Sequence, residues 1–247
     1  LMLVIVDKTE NTYSFLQFNR DTMTEVALID HNGEGEATAN IQLCTAHWYG
    51  GNREQSCENT VKSVKKLLGG IQIDGYYELN MSEIPKLNSM VDGVTVTLED
   101  DFSKKYPKMK KGATINLDDE QAYAYVHDRY GVGDEENTSR MKRQQQYMTG
   151  FFKKLQEKVK ANPNYANEVF ESLQDVSTTD ITIGKISNIS NIFASGTDKG
   201  IFELAGKSKI GQALGDEMDH MEFYVNKKAM VSTMSELFGI VEQKNKE

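Results

Sequence analysis

An α/β fold with a mixed central β-sheet flanked by helices is what this sequence predicts, and three observations carry it. Helical and strand periodicities alternate along the chain too regularly for an all-α or all-β fold. Two connections are hairpin-like, which makes the sheet mixed rather than purely parallel. At 247 residues, 38% hydrophobic and 26% charged, the chain is at the upper end of what one core serves. That predicts one domain over residues 1–247.

Each element follows from a local signal. Leu1-Met2-Leu3-Val4-Ile5-Val6-Asp7 reads as a strand already in progress, so residues are expected upstream of it. Residues 13–18 alternate and form its hairpin partner. Residues 28–36 are polar and glycine-bearing, hence a loop, and a helix is expected over about 37–48. A second helix over 57–68 carries Val61, Val64, Leu67 and Leu68 at helical spacing and stops at Gly69-Gly70. Residues 71–79 read as a strand. Asn80 and Glu83 form a capping pair that starts a short helix through Val91, and residues 93–98 alternate as a strand. Lys104, Lys105, Lys108, Lys110 and Lys111 make a basic loop. Asp118 with Gln121 opens a helix through about Val126. Residues 128–138 are aperiodic. A long helix is expected over 139–161, with Met141, Gln145, Met148, Phe152, Leu155 and Val159 on one face. Two more helices fall within 164–196, an edge strand at 223–225, and a closing helix over 226–241.

Composition excludes several functions. No apolar run approaches the roughly 18 residues that a membrane-spanning helix needs. The formal charge is -9, from 28 basic and 37 acidic residues, which disfavours nucleic acid as a partner. That global sign leaves room for a local basic pocket. The P-loop, the serine nucleophile elbow, the zinc-protease signature and a glycine fingerprint after a strand are all missing. His31, His47, His127 and His220 do not show metal-ligand spacing. Cys44 and Cys57 are the two cysteines, and their spacing fits two buried thiols or a loop-closing disulfide equally.

An arginine pattern is the remaining chemical signal. Arg20 follows the strand 13–18, where α/β folds place ligand sites. Arg129 follows the helix that Asp118 opens. Arg140 and Arg143 lie three apart on the first turn of the long helix, with Gln144 on the Arg140 face. Basic side chains there oppose the helix dipole. A docked anion offsets that cost through free N–H groups and bidentate guanidinium bonds. A solvated basic face, paired with Asp134, Glu135 and Glu136, explains the same residues.

Several segments together resemble the LytR-CpsA-Psr family. Phe18-Asn19-Arg20-Asp21-Thr22 resembles its "PRDT" segment, and Ala39-Asn40-Ile41 through Tyr49-Gly50-Gly51 its "KIN-A-AY-GG" segment. Gly75-Tyr76-Tyr77-Glu78-Leu79-Asn80 resembles "DYYV-V". Leu117 through Ala122 resembles "LNGEQAL". Val126-His127-Asp128-Arg129 and Ser139 through Gln145 resemble the arginine block "VR-R…GR--RQQ". The ordered series spans about 18–150. The match is most specific within 1–160 and weaker over 161–247, where His220 through Val225 resembles a tail seen in some members.

The resemblance implies an extracytoplasmic domain on a membrane anchor in a Gram-positive bacterium. It implies a Mg²⁺-dependent transferase that moves a glycopolymer phosphate, such as teichoic acid or capsular polysaccharide, from undecaprenyl pyrophosphate to peptidoglycan. An apolar tunnel would hold the prenyl chain, with Met148 and Phe152 as candidate lining. By position, Arg20, Asp21, Arg129 and Arg140 would be catalytic, and His127, Arg143 and Gln144 would bind substrate. The metal-binding aspartates are expected upstream of residue 1. An extracytoplasmic setting favours a Cys44–Cys57 disulfide. Two departures stand out: Asn19 replaces the proline before Arg20, and His127 replaces the first arginine of the "R-R" pair. An imidazole carries full charge only in mildly acid solution, so a non-catalytic polyprenyl-phosphate or glycopolymer binder is the alternative.

Overall fold

A computed structural model describes residues 1–35 and 37–239. In chain order the elements begin with strands β1 (Met2–Asp7), β2 (Thr12–Gln17), β3 (Met23–Ala27) and β4 (Thr38–Gln42). Helix α1 (Arg53–Leu67), β5 (Tyr77–Leu79), α2 (Ile84–Met90), β6 (Val94–Thr97) and β7 (Thr114–Leu117) follow. Then come α3 (Asp119–His127), α4 (Asn137–Ala161), α5 (Tyr165–Ser172), β8 (Ser177–Thr179) and α6 (Ile183–Ser195). The chain continues through β9 (Thr197–Glu203), β10 (Gly206–Gly211), β11 (His220–Val225) and α7 (Lys227–Phe238).

The central sheet is mixed. Strand β2 pairs antiparallel with β1 and parallel with β9. Asp7 makes the β1–β2 hairpin turn by accepting from the N–H groups of Thr9 and Glu10 at 2.8 and 2.9 Å. Tyr13, Phe15 and Leu16 of β2 are all buried, which marks a central strand covered on both faces. Its residues alternate between two helical layers. Leu16 and, just beyond the strand, Phe18 pack with Val64 of α1 and Met234 of α7. On the other face Phe15 stacks on Phe152 of α4, ring centroids 4.2 Å apart, and Tyr13 meets Phe193 of α6 at 5.0 Å.

A second core lies on the far side of α4. There Val94 and Val96 of β6, Leu117, Tyr125 of α3, and Tyr147 and Phe151 of α4 pack together. Helix α4 is thus buried on two faces, and the single apolar face expected from Met141 through Val159 is one of them. Asp118 caps α3 through a reciprocal pair with Gln121, as expected.

Several expectations are corrected. Residues 38–42 form a strand paired to β3, with a 3-10 turn over Leu43–Trp48, in place of a helix over 37–48. Ala39, Ile41 and Leu43 alternate as well as they fit a helix, and the exposed edge of β3 decides between the two. Only 77–79 of the expected strand 71–79 enters a ladder, against β8. Asn80 caps a 3-10 turn, and the α-helix of the segment to Val91 begins at Ile84. Strand β6 pairs with β7 in its own hairpin, outside the ladder of the central sheet. The edge strand expected at 223–225 is the end of β11, which pairs with β10. Helix α7 ends at Phe238, capped by Gly239 in the left-handed region at φ 62°; positions 240–241 of the expected closing helix lie outside the described residues. Among the described residues no helix is long and apolar enough to cross a membrane.

Candidate functional site

The β2–β3 turn and the start of α4 meet at one rim of the central sheet. Asn19 shapes the turn: its side-chain oxygen accepts from the Asp21 N–H at 2.9 Å, and its carbonyl accepts from the Thr22 N–H and hydroxyl. Backbone bonds from Cys44 N–H to Arg20 O and from Leu43 N–H to Thr22 O, 2.9 and 2.7 Å, staple the turn from below. This replaces the rigidity of the expected proline with an Asx turn.

The turn presents Arg20 and Asp21 to the start of α4. Arg20 Nε lies 3.5 Å from Asp21 Oδ1. Asn137, the first residue of α4, donates toward Asp21 Oδ2 at 3.5 Å and accepts from Arg140 Nη2 at 2.7 Å. Glu136 precedes the helix without a side-chain cap, so the positive end of α4 faces this rim. Arg129 stacks its guanidinium on the Tyr130 ring at 4.5 Å and donates to the Tyr130 hydroxyl.

The charges of these groups act on one another. Burial pushes the Asp21 carboxyl above its ordinary range, although Arg20, Arg140, Arg129 and His220 all pull it down. Burial, and then the charges of Arg20 and Arg129, lower the Arg140 guanidinium. Arginine does not deprotonate in response, so the guanidinium groups stay charged beside one another. The Nε–H groups of Arg129 and Arg140 are buried and have no hydrogen-bond partner among the described residues, an arrangement that costs free energy until something accepts from them. Arg20, Asp21, Arg129 and Arg140 are therefore brought together, as an anion site demands.

The other expected residues are placed differently. Arg143 is 1% exposed. Its Nε donates to Tyr125 O at 3.0 Å, Nη1 to Asp100 at 2.5 Å, and Nη2 to Asp128 O. It ties the end of α3 to α4, with its guanidinium spent on protein partners. Gln144 does likewise, donating to Val126 O at 3.0 Å. His127 is exposed, pairs with Asp128 at 3.2 Å and stacks on Tyr123 at 4.7 Å. Met148 and Phe152 are partly buried against the second core.

The expected disulfide is absent. Cys44 and Cys57 are free thiols. Cys44 lies on the 3-10 turn and faces Arg20 Nη2 at 3.6 Å, whereas Cys57 lies on α1 and faces His47 at 3.8 Å. The two side chains are held by different neighbours, so loop spacing does not bring them together. Burial pushes the Cys44 thiol up and carries Cys57 to about 11.

Mg²⁺ takes a near-octahedral set of oxygens. Asp21 is already engaged by Arg20 and Asn137. Among the described residues no group of three His, Cys, Asp or Glu side chains is placed to hold a metal. These residues do not by themselves fit the ion.

Sequence reasoning missed Asn137, which ties Asp21 to Arg140, and the strand opened by His220, whose Phe223 N–H donates to Asp21 O from about 200 residues downstream. Asn137 lies in the aperiodic stretch before Arg140, and His220 had only the tail resemblance to mark it.

With the geometry in place, comparison with known proteins is informative. The chain matches the LytR_cpsA_psr family over residues 1–238. It is 29% identical over 154 residues to "Polyisoprenyl-teichoic acid--peptidoglycan teichoic acid transferase TagU" of Bacillus cereus (strain AH820), which covers 62% of this chain and 46% of that protein. The chain thus spans about half the length of this relative. Its fold is similar to that of B. subtilis TagV, with TM-score 0.70 and 19% identity over 97% of this chain and 89% of that one. A structure of TagT bound to LI-WTA gives TM-score 0.69 and 20% identity over 96% and 82%.

Proposed function

The chain belongs to the LytR_cpsA_psr family, and from that membership we propose that it is a phosphotransferase that moves a glycopolymer phosphate from an undecaprenyl-pyrophosphate carrier to peptidoglycan. Its setting in this reading is the extracytoplasmic face of a cell membrane. The observation that carries the proposal is the pair of buried, partnerless Nε–H groups on Arg129 and Arg140 beside Arg20 and the start of α4.

A pyrophosphate concentrates negative charge on several oxygens, and transfer needs that charge held as the bridging bond breaks. Arg20, Arg129 and Arg140 supply preorganised donors from three separate segments. Asp21 and Asn137 keep Arg20 and Arg140 aimed at the same point. Arg143 and Gln144 act one layer back, fixing the end of α3 so that Arg129 leaves it in the right direction. The prenyl chain needs an apolar sleeve, and this reading puts it along Tyr13, Phe15, Phe152 and Phe193 between β2, α4 and α6, which are packed against one another in this structure and would have to part to admit it.

The test is transfer of a labelled glycan from a polyprenyl-pyrophosphate carrier to peptidoglycan by the full-length protein. Product that disappears in Arg140→Ala supports the reading. Tight lipid binding without turnover, with or without Mg²⁺, favours the non-catalytic binder.

A further inference from the structure

We infer that His220, held by Asp216, is the general base that takes the proton from the attacking acceptor hydroxyl. The inference deepens the phosphotransfer reading and rests on it.

Strand β11 reaches the arginine rim through the backbone. Phe223 N–H donates to Asp21 O at 2.7 Å, Thr22 and Phe223 form a parallel bridge, and Gln42 Nε2 donates to Met221 O at 3.3 Å. His220 opens this strand, one residue before Met221 and three before Phe223, so a residue remote in sequence is carried to this edge of the turn. The bridge is parallel, so β11 runs alongside the β2–β3 turn with His220 on the side from which Arg20 and Asp21 enter it.

His220 is also oriented. Its Nε2 lies 2.9 and 2.8 Å from the two oxygens of Asp216. With Nε2–H donated to that carboxylate, Nδ1 is left as the lone-pair acceptor. Asp216 is itself fixed by the Met218 N–H at 3.2 Å. The loop that carries it is anchored on Glu222, which is 2% exposed. Glu222 accepts from Ala213 N–H at 2.9 Å and the Tyr224 hydroxyl at 2.6 Å, with Lys209 Nζ at 3.9 Å. Gly211 permits this packing: a Cβ there would lie 2.3 Å from the Glu222 carboxylate. A carboxylate that holds an imidazole in one tautomer is the arrangement general-base catalysis uses. The charged groups around His220 are Asp216, Glu222 and Asp21, with the three arginines beyond.

The chemistry balances without a further reactant. The acceptor oxygen forms a bond to the glycan-linked phosphorus, and the bridging P–O bond breaks with its electron pair on the departing polyprenyl phosphate. The hydroxyl proton passes to His220 Nδ1 and then to solvent. Asp216 is a positioning residue, because it acts through the imidazole.

The experiment compares full-length wild type, His220→Ala, His220→Gln and Asp216→Asn in the transfer assay and in binding of undecaprenyl pyrophosphate. Expected for His220→Ala is a kcat loss of about 100-fold or more, unchanged lipid binding and unchanged melting temperature. Added imidazole should restore part of the His220→Ala rate and none of the Arg140→Ala rate. Full activity in the folded His220 variants would overturn the inference. So would a loss that imidazole leaves untouched and that follows a lower melting temperature, which would make the His220–Asp216 pair a loop staple. A wild type that binds the lipid and transfers nothing overturns the phosphotransfer reading itself, and His220 as its base with it.

Discussion

At the scale of single residues, the arginines differ in what they have left to give. Arg143 uses its donors inside the protein, whereas Arg129 and Arg140 each keep one buried N–H without a partner. Arg140→Ala should therefore weaken polyprenyl-pyrophosphate binding by roughly 10- to 100-fold, the range of one or two charge-assisted bonds. Arg140→Lys should recover part of it, since an ammonium lacks the planar fork; calorimetric titration reads both. Asp21 adds a pH dependence. Its folded pKa lies above the unfolded value of 3.8 because of burial. The stability linked to it is fully present below the unfolded value and is lost as pH rises through the folded one. An anion docked beside Asp21 raises that pKa further, so binding should take up protons, visible as a buffer-dependent heat. The thiols give a simpler check. Both cysteines are free, so the mass should match two thiols, and burial of Cys57, pushed up to about 11, should make it alkylate slowly at neutral pH. A mass two hydrogens lighter would contradict this.

At the scale of elements, α4 decides most of the architecture because it is buried twice. Tyr147 and Phe151 face the second core while Phe152 stacks on Phe15 of the central sheet. Phe193→Trp should lower affinity for a long prenyl pyrophosphate and leave geranyl pyrophosphate unaffected, if the sleeve follows this aromatic layer; equal effects on both lipids would place the sleeve elsewhere. Arg143→Ala should lower stability by about 3–5 kcal/mol, because Asp100 and two carbonyls lose a buried partner; thermal unfolding measures it. The same element shows what was legible in the sequence. The Asp118 cap, the long helix and the hairpin at 2–17 were readable, since capping and periodicity are local. Strands β9 and β10 were not, because Asp198, Lys199, Lys207 and Lys209 break the apolar pattern and only strand partners hold them in the ladder. The arginines were visible through the spacing of Arg140 from Arg143 and the family resemblance. Asn137 depends on how α4, and His220 on how β11, docks against the β2–β3 turn, which no local pattern reports.

At the scale of the whole molecule, the notable feature is a cationic rim on an acidic chain. The net charge is -9, yet Arg20, Arg129 and Arg140 are gathered from three segments around Asp21. Long-range charge therefore works against a polyanionic ligand, and affinity must come from short-range donors. The fold supplies them by setting the end of β2, the end of α3 and the start of α4 against one another. The measurement that tests this most directly is equilibrium binding of undecaprenyl pyrophosphate to wild type and to Arg20→Ala, Arg129→Ala and Arg140→Ala, each checked for folding. The account predicts that all three substitutions weaken binding, and that the pyrophosphate loses more than the monophosphate does. Three folded variants that bind as tightly as wild type would contradict it and return the arginines to ordinary solvated surface.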